Sequence, residues 1–142
     1  MNDYNFVNKY ERILPCDGII SSGYGSRELF GRRKMHYGID YKAPKGAPVF
    51  SMEEGRVIFA GNKSGYGKTI IIDHDNEIYT LYAHNSALLV DQGQYVRHGQ
   101  VISKIGSTGR STGPHLHYEI RIKDKPVDPA LAKHLLQIKM LK

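Results

Sequence analysis

The sequence predicts an all-β domain, and three features of the chain indicate it. From Ile19 onward, short apolar runs alternate with segments that carry Gly, Asn or Ser. The spacing of these runs is regular, as expected for short strands joined by turns. Fifteen glycines are scattered among the runs and suit tight turns. With 142 residues, the chain fits one domain around one core.

Seven strands are predicted in chain order, each a short run rich in β-branched and aromatic residues. They are 39–42, 48–51, 55–60, 69–73, 78–84, 101–105 and 115–122. Residues typical of turns and loops separate them at 44–46, 61–63, 65–67, 73–76 and 106–114. The turn at 73–76 lies between two β-rich runs and therefore predicts a hairpin.

A helix is expected only at the end of the chain. Asp128 suits an N-cap and Pro129 a first helical turn, after which Leu131, Leu135 and Ile138 recur at helical spacing. Periodicity is weak over residues 1–18, which we interpret as a lead-in segment. Residues 19–142 are then a single domain.

Composition limits the function classes without choosing among them. The net charge of +6 favours a polyanionic neighbour, which could be nucleic acid, anionic lipid or a cell-wall polymer. Cys16 is the only cysteine, so neither an internal disulfide nor a cysteine-based zinc cluster is expected, and a buried apolar role suits it. No apolar run approaches the roughly 20 residues of a membrane span. Residues 1–10 are unlike a secretory signal.

Two histidines share one face of the predicted strand 115–122. Its residues alternate with period two, so Leu116 and the apolar residues that follow at 118, 120 and 122 would be buried together. The opposite face carries His115 and His117, about 7 Å apart along the strand. Both imidazoles can reach one reaction site, which favours one metal ligand and one general base.

A second cluster is the segment His36-Tyr37-Gly38-Ile39-Asp40. On a straight strand its two ends would be about 13 Å apart. That is too far for a shared metal ion with ligand bonds of about 2 Å. We therefore expect the chain to bend, and Gly38 is the residue that permits it.

His84 ends the predicted strand 78–84, where its side chain can project into a cleft. Together with His36, Asp40, His115 and His117 it supplies what a catalytic zinc site needs: three protein ligands, an open water position and a proton carrier. The other three histidines are interpreted as ordinary surface residues: His74, His98 and His134.

Nine short motifs follow one another between Ser21 and Pro129: GYGSR at 23–27, HYGID at 36–40, GAPV at 46–49, GRVI at 55–58, LYAH at 81–84, GQVI at 99–102, GSTG at 106–109, GPHLHYE at 113–119 and PVDP at 126–129. In this order they resemble the lysostaphin-type zinc metallopeptidases, which cut peptidoglycan peptides. The resemblance covers most of the chain.

The resemblance implies a small antiparallel β-sheet or sandwich domain with a groove over a zinc site. It implies that His36, Asp40 and His117 hold Zn²⁺ and that His84 and His115 act in catalysis. Residues 19–142 are then the peptidase domain. Which of the two catalytic histidines is the general base stays open.

The expected partner is peptidoglycan, its stem peptides and cross-links. The run Gly-Pro-His-Leu-His-Tyr-Glu-Ile is more similar to family members that cut D-alanyl cross-links to diaminopimelate than to glycyl-glycine cutters. Arg110 in the loop 106–114 could meet a carboxylate of such a stem, and the loop's Ser and Thr hydroxyls could bind its backbone. We expect a monomer that acts in the periplasm or cell wall, or is delivered by a phage.

Three other functions are compatible with part of the sequence. A relative without peptidase activity could activate cell-wall amidases, but such proteins usually lack several of the five residues that are all present here. Phosphocarrier domains of sugar transport also use two histidines on a β architecture, yet they would not need Asp40 beside His36. Nucleic-acid binding explains the charge but not the histidines, so no nucleic-acid partner is expected.

Overall fold

Antiparallel strands build almost all of the fold in the computed structural model, which describes residues 12–29 and 31–132. Thirteen strands lie within the described residues. In chain order they are β1 (Ile19–Ser22), β2 (Gly25–Leu29), β3 (Arg32–His36), β4 (Ile39–Lys42), β5 (Pro48–Phe50), β6 (Gly55–Lys63), β7 (Gly67–Asp73), β8 (Ile78–Asn85), β9 (Ala87–Leu88), β10 (Tyr95–Val96), β11 (Val101–Lys104), β12 (His115–Ile122) and β13 (Lys125–Val127).

The main sheet has eight strands, in the order β1-β4-β12-β8-β7-β6-β10, with β13 paired to β12. A second sheet has three strands, β5-β11-β9, and a hairpin of β2 and β3 forms a third unit. The central position of β12 between β4 and β8 brings together three segments that are distant in the sequence. The predicted antiparallel all-β architecture is confirmed.

The core lies between the two larger sheets. Side chains from the main sheet such as Ile70, Tyr82 and Leu116 join Val49 and Ile102 of the three-stranded sheet in one buried cluster. Burial of this apolar surface is the main favourable term in folding. Cys16 is fully buried in the same cluster, as the sequence suggested.

All seven predicted strands are present, and the bounds of β4 and β12 coincide with the prediction. One predicted break is wrong: residues 61–63 do not end a strand but continue β6 to Lys63. There β6 pairs with β7 in a hairpin, so the backbone N–H and C=O groups of residues 61–63 are hydrogen-bonded to β7. The turn propensity of Gly61 and Asn62 does not show this pairing, because it comes from another segment of the chain. The hairpin predicted at 73–76 joins β7 and β8.

The predicted N-cap is also present. Residues 129–132 are helical, and the Asp128 carboxylate accepts a hydrogen bond from the Ala130 backbone N–H at 3.0 Å. Leu135, Ile138 and His134 lie outside the described residues. In the part of the chain that the structure describes, no helix has the length and apolar character that a membrane span requires.

Candidate functional site

The register of the main sheet sets Asp40 opposite His117. β4 and β12 pair antiparallel, and Asp40 is the cross-strand partner of His117. Side chains of residues that are directly opposite each other on two paired strands lie close enough to form a hydrogen bond. The Asp40 Oδ1 and His117 Nδ1 atoms are 2.8 Å apart.

His36 reaches the same place from the β2–β3 hairpin. It is the last residue of β3, and the chain bends at 37–38 before β4 begins. His36 Nε2 lies 3.2 Å from Asp40 Oδ2. Its Nδ1 donates to the Gly23 carbonyl at 2.7 Å, which leaves Nε2 without a proton in the neutral ring. The bend predicted between His36 and Asp40 is therefore present.

The bend brings the Gly38 backbone very close to β12. A Cβ atom at Gly38 would lie 2.4 Å from the Tyr118 carbonyl oxygen and 2.9 Å from both His117 Cε1 and Glu119 Cγ. Its φ is not in the left-handed region. Glycine is therefore required here for close approach of two backbones and not for an unusual dihedral angle.

The donor set of His36, Asp40 and His117 fits a divalent metal ion. One ligand atom from each residue lies within 4.8 Å of the others. Two imidazoles and one carboxylate are typical zinc ligands, and three protein ligands leave a position open for water or substrate. The ring nitrogens that do not face this cluster bond to Gly23 and Glu119, as expected for metal-ligating histidines.

Hydrogen bonds within the cluster favour the charged forms of Asp40 and His117. Burial alone would raise the pKa of Asp40, but hydrogen bonds from His117 and His36 outweigh burial and hold that pKa well below its usual range. Burial would lower the pKa of His117, but hydrogen bonds to Asp40 and Glu119 raise it to about 9. Without a metal ion, the site is thus an imidazolium between two carboxylates.

Glu119 belongs to the site and was not singled out from the sequence. It is fully buried, and its Oε2 accepts a hydrogen bond from His117 Nε2 at 2.7 Å. Tyr66 and Arg121 also bond to this carboxylate. The period-two pattern of β12 does place Glu119 on the face of His117, which is the signal that could have identified it.

His84 projects its ring toward the cluster from the end of β8. Its φ of 66° lies in the left-handed region, which is rare for a residue with a side chain and often marks a functional position. Nδ1 donates to the Thr108 carbonyl at 2.7 Å, so Nε2 is the free nitrogen of the neutral ring. Burial lowers the pKa of His84, which keeps the ring neutral at pH 7.

His115 lies beside His84. Their ring centroids are 4.7 Å apart, and His115 Nε2 is 3.9 Å from Asp40 Oδ1. His115 Nδ1 donates to the Gly113 carbonyl at 2.9 Å. In each histidine Nδ1 faces the loop carbonyl that holds the ring, and Nε2 is the ring nitrogen that faces away from the loop. The five residues predicted from the sequence lie around one point of the structure.

A groove passes over this point. On one side it forms a cavity of about 410 Å³, whose walls include Lys34, Tyr37, Tyr66 and Arg110. On the other side it continues past Asp40 and His115 as a cavity of about 270 Å³ that Ser21, Lys42 and Thr112 line. An open groove with the polar cluster at its middle suits an extended chain as substrate.

Two hydroxyls of the loop 106–114 are hydrogen-bonded within the protein. The Thr108 hydroxyl donates to the Asn85 carbonyl and accepts from the Lys68 N–H, and Ser111 bonds to Gly113 and His115. The Thr108 and Ser111 hydroxyls therefore hold the loop in place, whereas the Thr112 side chain is exposed at the groove. The Arg110 guanidinium is exposed at the groove and has no hydrogen-bond or ion-pair partner among residues 12–29 and 31–132.

His74 is not the surface residue that the sequence suggested. It is 1% exposed, its Nδ1 donates to the Glu54 carbonyl at 2.7 Å, and its Nε2 lies 2.7 Å from the Thr80 hydroxyl. The turn position hides this role because the partners come from β8 and from the segment before β6. His98 is partly buried and hydrogen-bonds to the Arg12 backbone.

Comparison with known proteins gives one family and relatives from several bacteria. The family described as Peptidase family M23 matches residues 34–129. The DD-carboxypeptidase/endopeptidase Mpg of Neisseria meningitidis is 51% identical over 107 residues, which are 75% of this chain and 25% of the relative. The murein hydrolase activator NlpD of Escherichia coli is 42% identical over 116 residues, 81% of this chain and 29% of the relative. The chain spans between a quarter and a third of the length of these curated relatives.

Solved structures share the fold. A zinc containing peptidase from Vibrio cholerae superposes with a TM-score of 0.75 at 39% identity, over 81% of this chain and 37% of that one. The catalytic domain of lysostaphin from Staphylococcus simulans gives a TM-score of 0.72 at 31% identity, over 94% of this chain and 99% of that domain.

Proposed function

Because this chain belongs to peptidase family M23, we propose that it is a zinc-dependent endopeptidase that hydrolyses peptide cross-links of bacterial peptidoglycan. One observation carries the proposal. Three metal-ligand atoms within 4.8 Å of one another lie in the middle of an open groove, beside two further histidines. The relatives named for peptidoglycan cleavage and the zinc containing structural neighbour support it.

The proposed zinc ligands are His36 Nε2, His117 Nδ1 and a carboxylate oxygen of Asp40. Each histidine already has its other ring nitrogen bonded to a protein oxygen, so the ligating nitrogens need no tautomer change. Zinc bound there supplies Lewis-acid polarisation of the peptide carbonyl and makes a water molecule more acidic.

His84 and His115 are the proposed proton carriers. Each donates Nδ1–H to a backbone carbonyl and keeps Nε2 free toward the groove. The lowered pKa of His84 favours a neutral ring that can take a proton from the attacking water. The resulting imidazolium, or that of His115, can donate to the oxyanion or to the leaving amine. The structure suits either division of the two roles.

We infer a D-alanyl-diaminopimelate cross-link as the substrate. Lys34 and Arg110 line the groove, and neither side chain has an ion-pair partner in the part of the chain that the structure describes. Lys34 shares a strand face with His36, two residues away on β3. A carboxylate of a stem peptide would meet these cations, whereas a glycine bridge has no carboxylate of its own.

This proposal places the activity outside the cytoplasm, in the periplasm or cell wall, or in phage-delivered lysis. The partner is peptidoglycan, and we propose that the chain acts as a monomer in which residues 19–142 form the peptidase domain.

The test is digestion of a purified disaccharide-peptide dimer with a D-alanyl-diaminopimelate cross-link. Zinc-loaded protein should give the two monomers, identified by mass spectrometry. A chelator should stop the reaction, and added zinc should restore it. An intact dimer after incubation with folded, zinc-loaded protein contradicts the proposed function.

Activation of a cell-wall amidase is the second candidate, because NlpD is 42% identical to the chain. An activator needs its surface but no metal site. A purified amidase should therefore be stimulated equally by wild type and by a folded His36→Ala variant if this candidate is correct. The presence of all five site residues favours the peptidase.

A further inference from the structure

The carboxylate of Glu119 lies on the far side of the His117 ring from the ligand cluster. His117 Nδ1 faces Asp40 Oδ1, and its Nε2 faces Glu119 Oε2. We propose that Glu119, held by Tyr66 and Arg121, is the positioning residue that fixes the His117 ring with Nδ1 toward the metal position. The inference rests on the zinc site of the proposed function and adds residues that lie outside the ligand set.

Glu119 is well suited to hold a ring because its own carboxylate is fixed from two further directions. Arg121 Nε donates to Oε1 at 2.8 Å, and the Tyr66 hydroxyl donates to Oε2 at 2.9 Å. Arg121 Nη2 in turn donates to the Tyr66 oxygen at 3.2 Å. The carboxylate is 0% exposed, so water does not compete for these bonds.

The alternative ring orientation would be unfavourable. A rotation of His117 that turns Nε2 toward Asp40 breaks the hydrogen bond to Glu119 and leaves part of a buried carboxylate unpaired. An unsatisfied charged acceptor is more costly than a neutral one when both are buried away from water. Glu119 thus selects both the orientation and the Nε2–H tautomer that a ligating Nδ1 requires.

Tyr66 contacts both Glu119, the partner of His117, and His84, one of the two proposed proton carriers. It lies in the turn between β6 and β7, and its backbone carbonyl accepts from the His84 N–H at 2.8 Å. The same residue therefore contacts Glu119 through its hydroxyl and His84 through its backbone. Tyr66→Phe removes the first contact and keeps the second.

The experiment measures the zinc dissociation constant by competition with a chelator of known affinity. Glu119→Ala should weaken zinc binding about 10- to 100-fold, the usual effect of removing a partner of a metal-ligating histidine. Glu119→Gln should lose less, because its amide oxygen can still accept from His117 Nε2. Tyr66→Phe should show a smaller loss than Glu119→Ala.

The chain offers a matched control pair far from the groove. The Tyr95 hydroxyl donates a hydrogen bond to the Glu54 carboxylate at an exposed position. Tyr95→Phe removes this tyrosine donor and Glu54→Gln removes this carboxylate charge, so the two variants match the changes made at Tyr66 and Glu119. Both should bind zinc like wild type.

In zinc-loaded wild type, the Nε2–H proton of His117 should give a slowly exchanging downfield NMR signal that is lost in Glu119→Ala.

Unchanged zinc affinity in folded Glu119→Ala, with the His117 signal retained, would overturn the positioning role. If Glu119→Ala does not fold, Glu119→Met, which keeps most of the side-chain volume and removes the acceptor, takes its place with the same two outcomes. If wild type itself binds no zinc, the proposed function fails. If wild type binds zinc and the variants match it, only the role of Glu119 fails.

Discussion

Asp40 and His117 are 77 residues apart in the sequence and 2.8 Å apart in the structure, joined by the pairing of β4 with β12. The same carboxylate contacts His36 through its other oxygen at 3.2 Å. Asp40 is therefore the common partner of both histidines. Its two oxygens hold the two rings near each other before any ion is bound.

The first prediction concerns metal content. Purified protein should hold about one zinc per chain, and His36→Ala, Asp40→Ala and His117→Ala should each lower that occupancy sharply, because each removes one of three ligands. Elemental analysis after gel filtration measures it. His98→Ala, a histidine change away from the groove, should leave occupancy unchanged. Full zinc retention in all three ligand variants contradicts the assignment.

Much of the site could be predicted from the sequence because its strands have clear patterns. β12 alternates apolar and polar residues, and its predicted bounds and histidine face agree with the structure. The bend after His36 followed from strand geometry alone, since a straight strand separates its ends too far for one ion.

Other parts depend on contacts that local patterns do not show. β2 and β3 carry Gly-Ser-Arg-Glu-Leu and Arg-Arg-Lys-Met-His, which have no apolar alternation, so their hairpin was not predicted. Glu119 is buried because Tyr66 and Arg121 cover it, and Tyr66 comes from a turn 53 residues earlier. Such burial follows from tertiary packing and not from strand period.

The second prediction is a pH dependence of stability in the zinc-free protein. The pKa of His117 is raised from 6.5 to about 9 in the folded state, so its contribution is fully present below pH 6.5. It should be lost as pH rises from 6.5 through about 9. The free energy of unfolding from urea titrations should fall across this window, and less so in His117→Ala.

Other titrating groups with shifted pKa values act outside that window. Burial lowers the pKa of His84, so its effect lies below pH 6.5. Burial raises the pKa of Cys16 from 9.0 to about 11, so its effect lies above pH 9. A stability that stays flat between pH 6.5 and 9 in zinc-free wild type would therefore contradict a His117 pKa raised by Asp40 and Glu119.

The third prediction separates proton carriers from ligands. His84→Ala and His115→Ala should keep zinc and fold but lose about 10²-fold or more in cleavage rate, the range for a positioned acid or base. The rate of wild type should fall on the acidic side as His84 becomes protonated. If either variant loses zinc as fully as His117→Ala does, the division of roles is wrong.

The fourth prediction tests the close approach at Gly38. In Gly38→Ala the new Cβ would lie 2.4 Å from the backbone oxygen of Tyr118, so the sheet backbone itself and not a flexible side chain would have to shift. We expect a loss of about 1–3 kcal/mol in stability, as for other overpacked sites, together with weaker zinc binding. Gly61→Ala is the matched control, since its Cβ would meet only Phe59 at 3.7 Å. Equal melting temperatures for the two variants would contradict the prediction.

The last prediction concerns the choice of substrate and depends on the groove cations rather than on the metal. Wild type should cleave a diaminopimelate cross-linked dimer faster than a C-terminally amidated pentaglycine peptide, because only the dimer then offers carboxylates to Arg110 and Lys34. Arg110→Ala and Lys34→Ala should raise KM for the dimer several-fold and leave KM for pentaglycine unchanged. Arg97→Ala removes an exposed arginine elsewhere and controls for net charge.

Since exposed ion pairs are weakened by salt, the preference for the dimer should also shrink as ionic strength rises. Faster turnover of pentaglycine, or an unchanged KM for the dimer in both variants, would rule out this basis of specificity while leaving the zinc site intact.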